Sequence, residues 1–118
     1  ILKLDSAFDE TVRLINRPVS RQYSVARQVE LYKRFNGAFI LQTMFLRGEF
    51  EGRKIDNTTR EEVSAWLGLV REMKPREVMI YTIDRETPAK QLEKAPLEVL
   101  REIASLVEAM GIKTVVAG

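Results

Sequence analysis

Apolar residues fall into two kinds of run along this chain. Some runs are short and nearly continuous. Residues 39–46 hold Phe39, Ile40, Leu41, Met44, Phe45 and Leu46, and residues 78–83 hold Val78, Met79, Ile80 and Ile83 with Tyr81 among them. Residues 1–5 and 112–118 have the same character. Near-continuous apolar runs of this kind suit parallel strands covered on both faces.

The other runs have helical spacing. Ser6 or Asp9 can cap a short first helix through Thr11, Val12 and Ile15, stopped by Pro18. A second helix is predicted from about Ser24 to Phe35, with Val25, Val29 and Tyr32 on one face and Asn36-Gly37 as a left-handed exit. A third opens at residues 58–62, where Thr58 with Glu61, or Thr59 with Glu62, makes a capping box. Its stripe is Val63, Trp66, Leu67, Val70 and Met73, and Pro75 follows. A fourth begins at Pro96, carries Leu97, Leu100, Ile103, Ala104 and Val107, and meets Gly111 at its end.

The predicted order is β-α-α-β-α-β-α-β, so each strand returns through helix. That pattern implies an α/β fold with a parallel sheet built from βα units. An open doubly wound sheet and an arc of a (β/α) barrel both fit. With 118 residues the chain is expected to form one segment spanning residues 1–118. Both ends lie in strand-like runs, whereas domains usually end in exposed linkers, so the chain is expected to be part of a longer protein.

Composition narrows the chemistry. Apolar residues are 45% and charged residues 31%, a soluble globular balance. No apolar run approaches the ~18–20 residues of a membrane span, and a cytoplasmic setting is expected. The 19 basic and 17 acidic residues are interspersed, for a net charge of +2, which argues against nucleic acid as a partner. There is no Cys, hence no thiolate ligand for zinc or an iron–sulfur cluster, and no His, the commonest general base and metal ligand.

Ligands of parallel α/β folds bind beyond the C-terminal ends of the strands. Residues 5–9, 47–57 and 84–88 occupy those positions and are polar, the second long enough for a lid. Lys3 and Asp5 share one face of the first strand, and Gln42 and Tyr81 interrupt later strands. A Lys–Asp pair across the strand end and buried, hydrogen-bonded Gln and Tyr are the plainer readings. Asp84 and Glu86 are read as solvated loop acids rather than metal ligands, and Gly48 and Gly52 lack the spacing of a dinucleotide or phosphate loop. Arg13, Arg17, Arg21 and Arg27 are read as a solvated basic face.

A series of short motifs adds a resemblance. Lys3-Leu4-Asp5, Ile15-Asn16-Arg17-Pro18, Gln42-Thr43-Met44-Phe45-Leu46, Asn57-Thr58 before a helix with Trp66, and Ile80-Tyr81-Thr82-Ile83-Asp84-Arg85 with Thr87-Pro88 follow one another. This series resembles the C-terminal half of radical S-adenosylmethionine (radical SAM) proteins, in the iron–sulfur oxidoreductase branch related to wyosine-forming tRNA enzymes and glycyl-radical activating enzymes. The resemblance implies about half of a partial (β/α)6 TIM-like barrel, with the first three strands standing as the family's fourth, fifth and sixth. In the whole family protein a Cys-x3-Cys-x2-Cys loop holds a [4Fe–4S] cluster that cleaves S-adenosylmethionine to a radical. By position, Lys3 and Asp5 fall where the family contacts the cofactor's ribose or amino-acid part. Gln42 and Tyr81 fall near its adenine, and Arg85 faces substrate.

Without cysteines this chain carries no cluster ligand. It is therefore expected to be inactive alone and to hold no cofactor by itself, with the enzyme activity, the S-adenosylmethionine and the cluster belonging to the parent protein. The substrate is not specified. Half a barrel leaves strand edges open, so a homo-oligomer is expected. The alternative reading is a self-contained α/β module for a small anionic or nucleotide ligand at the strand ends, with an RNA-interacting domain as a third.

Overall fold

The computed structural model describes residues 1–15, 22–50, 52–83 and 92–117. Its main sheet is made of β1 (Leu2–Lys3), β2 (Ile40–Met44), β5 (Glu77–Tyr81) and β7 (Lys113–Ala117). They stand side by side in that order, every neighbour parallel. The helices α1 (Asp9–Ile15), α2 (Val25–Lys33), α3 (Arg60–Met73) and α4 (Leu97–Glu108) supply the returns. Among the described residues no helix is long and apolar enough to cross a membrane.

The helices bury themselves against one face of this sheet. Leu41 pairs with Leu2 and Val78, and one pleat further Leu4, Thr43, Ile80 and Val116 stand level. These side chains join Val12 of α1, Val25 and Val29 of α2, Val63, Trp66, Val70 and Met73 of α3, and Leu100, Ile103, Ala104 and Val107 of α4 in one core. A doubly wound sheet would carry helices on both faces. Among the described residues the helices lie on one face only, which makes the sheet the wall of a barrel.

Local chemistry explains the helix ends. Ser24 caps α2 by accepting from the Arg27 N–H at 3.0 Å. Asn36 (φ 52°) and Gly37 (φ 83°) then turn the chain left-handed, and the Gly37 carbonyl accepts from the Arg76 N–H at 3.1 Å. Thr59 caps α3 by accepting from the Glu62 N–H at 3.2 Å. The expected capping box stops halfway, because the Glu62 carboxylate reaches elsewhere: it accepts from Ser6 Oγ at 2.6 Å and Thr11 Oγ1 at 2.7 Å. Leu97, expected in the α4 stripe, is 44% exposed in the first turn.

One polar residue inside the core shows how strictly it is satisfied. Thr43 is fully buried on the helix-covered face of β2. Its hydroxyl donates to the Leu4 carbonyl at 2.8 Å and accepts from Trp66 Nε1 at 3.1 Å. Trp66 in turn meets Phe45 edge-on, with ring centroids 5.2 Å apart. The indole needs a partner for its N–H when buried, and Thr43 is that partner.

The largest departure from the sequence expectation lies after β2. The polar stretch 47–57 reads as an open loop, yet it forms a hairpin. β3 (Leu46–Phe50) follows β2 after a single residue, and β4 (Arg53–Asp56) runs back antiparallel to it. β6 (Leu92–Lys94) joins the other side of β3, making a second, three-stranded antiparallel sheet in the order β4-β3-β6. The physical reason is charge pairing across strands. Arg47 stands opposite both Asp56 and Glu93, and Glu49 opposite Lys54, so residues that look like loop polarity are cross-strand partners. The single run expected over residues 39–46 is thereby divided at Phe45 between two sheets.

Candidate functional site

The face of the main sheet opposite the helices carries a different set of side chains. Strand register sorts them into rows. Ile40, Glu77 and Lys113 form the lowest row, and Glu77 pairs with Lys113 at 3.5 Å. Above it lie Lys3, Gln42, Met79 and Val115. The uppermost row, at the C-terminal ends of the strands, holds Met44, Tyr81 and Ala117, with Asp5 two residues beyond Lys3 on the same side. Neighbouring strands sit roughly 4.8 Å apart, so these rows bring residues from opposite ends of the sequence within one small patch.

Lys3, Asp5, Gln42 and Tyr81 therefore share the helix-free face, in two adjacent rows. The Asp5 side chain is fully buried: Oδ1 accepts from the Met44 N–H at 2.9 Å, and Oδ2 lies 3.5 Å from Lys3 Nζ. The Lys–Asp contact is the one the sequence spacing suggests. The Lys3 side chain, 46% exposed, keeps its ammonium within reach of solvent. Gln42 and Tyr81 are half-buried. Arg85, Asp84 and Glu86 lie outside the described residues, as do Arg17 and Arg21. Arg13 donates to the Tyr23 carbonyl at 3.0 Å, a structural tie, while Arg27 is exposed.

Buried hydrogen bonds lock the rim of this mouth. Asn57 donates from Nδ2 to the carbonyls of Asp5 (2.9 Å) and Met44 (2.8 Å) and accepts the Leu46 N–H at Oδ1 (2.9 Å). Thr82, one residue past β5, donates to the Phe45 carbonyl at 2.6 Å and accepts from the Ala95 N–H at 2.9 Å. Asp9 accepts the Val25 N–H at 2.7 Å, joining α1 to α2. Sequence reasoning did not single out Asn57, Thr82 or Glu62 for these roles. The available signal was a buried-type position occupied by a short polar side chain, Thr82 directly after a strand and Asn57 directly before a helix cap.

Electrostatics around the first strand favour neutral phenols. Burial, reinforced by nearby Tyr32, Asp5 and Asp9, pushes Tyr23 up to about 12. Burial likewise raises Tyr32, whose hydroxyl donates to the Lys3 carbonyl at 2.8 Å. The charged face of the hairpin sheet lines a cavity of about 410 Å³ with Arg47, Glu49, Lys54, Asp56 and Glu93. Arg47 is anchored there by Nε donation to Thr58 Oγ1 at 2.9 Å and by Asp56 at 3.7 Å. Among the described residues no three acidic side chains are grouped to hold a metal ion.

No protein-family model matches the sequence, and no curated protein matches it. Solved structures do. A radical SAM methyltransferase from Sphaerobacter thermophilus superposes with a TM-score of 0.75 at 17% identity, over 98% of this chain and 32% of that one. A domain of pyruvate-formate lyase-activating enzyme from Bacteroides vulgatus ATCC 8482 superposes with a TM-score of 0.70 at 10% identity, over 98% of this chain and 65% of that one. This chain thus spans about a third of the first and about two thirds of the second. At these identities the likeness is one of fold: a TIM-barrel-like α/β arrangement shared with part of each of those two structures.

Proposed function

We propose that this chain is the C-terminal half of a radical SAM barrel and forms the wall against which S-adenosylmethionine lies. The observation that carries the reading is the helix-free face, with Lys3, Asp5, Gln42 and Tyr81 in two adjacent rows at the strand ends. Ligands of barrel folds bind at that end. The likeness of fold to the two radical SAM structures supports the same reading.

The donor set suits the cofactor. Lys3 offers an ammonium to a carboxylate. Asp5 brings a carboxylate, the acceptor that an ammonium or a ribose hydroxyl needs. Gln42 and Tyr81 can each donate and accept. The iron–sulfur cluster does not fit this chain, because cluster iron is held by Cys thiolates and the sequence has none. Its ligands belong to another part of the parent protein, in the wyosine-related or activating-enzyme branch. The parent reductively cleaves S-adenosylmethionine to begin radical chemistry on its substrate, with Arg85 assigned to substrate binding. Residues 1–118 alone are inactive.

The test uses the whole reading frame that contains this chain. Purified without oxygen, supplied with iron and sulfide and reduced with dithionite, it should convert S-adenosylmethionine to 5′-deoxyadenosine, read by mass spectrometry. Residues 1–118 alone should make none. A reading frame with no Cys-x3-Cys-x2-Cys stretch before Ile1, or one that yields no 5′-deoxyadenosine, sinks the proposal.

A further inference from the structure

Segments far apart in sequence meet at one buried amide. Asn57 sits between β4 and α3 and is 1% exposed. Its side chain holds the carbonyls of Asp5 and Met44 and the N–H of Leu46, and its own N–H reaches the Leu46 carbonyl at 3.4 Å. Asp5 in turn accepts the Met44 N–H. The three residues form a closed cycle: Asn57 holds both carbonyls, and the Asp5 carboxylate holds the Met44 amide. Thr82 and Glu62 also bridge segments, but Thr82 joins Phe45 to Ala95 and Glu62 joins Ser6 to Thr11, so neither bonds Asp5. An apolar side chain at position 57 would leave two carbonyls and an amide unmet, a penalty concentrated at the ends of β1 and β2.

We infer that Asn57 is a positioning residue for the mouth: it fixes the backbone of Asp5, and so the aim of its carboxylate, and latches the base of the β3–β4 hairpin to the same point. The inference rests on the proposed S-adenosylmethionine wall for its functional meaning. Asn57 does not face the ligand. It acts through Asp5, by hydrogen bonds to that residue's carbonyl and to the strand that its carboxylate grips.

Asn57→Asp in the full-length protein is the informative change, because it keeps an acceptor for the Leu46 amide and removes both donors. S-adenosylmethionine affinity should fall about tenfold, the scale of one or two lost buried hydrogen bonds. Exchange of the Met44 amide should speed by about the same factor, while the Val70 amide within α3 keeps its rate. In an Asp5→Ala background, where no carboxylate remains to aim, the further loss of affinity should stay under about twofold. Equal losses in both backgrounds, or an unchanged Met44 rate, would overturn the inference. If the wild type binds no S-adenosylmethionine, the proposed function fails, and the Met44 rate still decides whether Asn57 holds Asp5. Asn57→Ser replaces the Asp variant if that one does not fold. Loss of fold in both would also overturn the inference, since Asn57 would then hold the fold rather than one residue.

Discussion

Tyr23 shows how one side chain reports on its surroundings. Its phenol ionises at about 12 in the folded protein, against an ordinary value of 10.0. An acid whose folded pKa is raised favours the fold fully below the unfolded value, and that contribution disappears as pH climbs through the folded one. The melting temperature should therefore drop between about pH 10 and pH 12. Tyr23→Phe should make that drop shallower, without abolishing it, because Tyr32 is shifted the same way. Melting curves at a series of alkaline pH values check this, and identical slopes for both proteins would contradict the assigned burial. Asp5 makes a complementary point. From the sequence it is one charged residue two places from a lysine. In the fold one oxygen of its carboxylate accepts the Met44 N–H of β2, a contact that no spacing rule reveals.

At the scale of elements, the link from α2 to β2 is closely packed against the end of α3. Gly37 has φ +83°, and a Cβ placed there would come within 2.8 Å of the Lys74 carbonyl oxygen. Gly52 has φ +76° in the hairpin turn, with nothing within 4 Å of such a Cβ. Gly37→Ala should cost about 2 kcal/mol or more, because the left-handed backbone and the carbonyl both resist it. Gly52→Ala should cost only the backbone share, about 1 kcal/mol. Urea unfolding of the two variants separates the terms, and equal costs would show that the Lys74 carbonyl yields freely. The helices themselves were legible in advance, since Ser24 and Thr59 cap where their chemistry predicts. The hairpin was not. Its strands carry charge at alternate positions on one face, and charge in a short segment reads as loop until its cross-strand partners are known.

For the whole molecule, the open surfaces are the issue. The helix-free face exposes Val115 (38%) beside half-buried Met44, Met79 and Ile40, and β7 is the last strand of its sheet. An unpaired strand edge and an uncovered apolar face both invite association. Residues 1–118 in isolation should run as a dimer or larger species by light scattering, through that edge and face. A monodisperse monomer would count against it. Inside the full-length protein the remaining strands of the proposed barrel would cover the same face, and the tendency should vanish.

The periodicity of apolar residues was enough to determine the parallel α/β framework, because burial on both sides of a strand and on one side of a helix leaves different spacings. It also made Lys3, Asp5, Gln42 and Tyr81 conspicuous as polar residues in apolar runs. Only the tertiary structure decided that the four described helices lie on one face, which turns an ambiguous sheet into a barrel wall and leaves those four residues together on the other. It alone revealed the second sheet and the Asn57 cycle at the mouth. Both depend on partners dozens of residues away, and a hydrogen bond between distant segments leaves no period in the sequence.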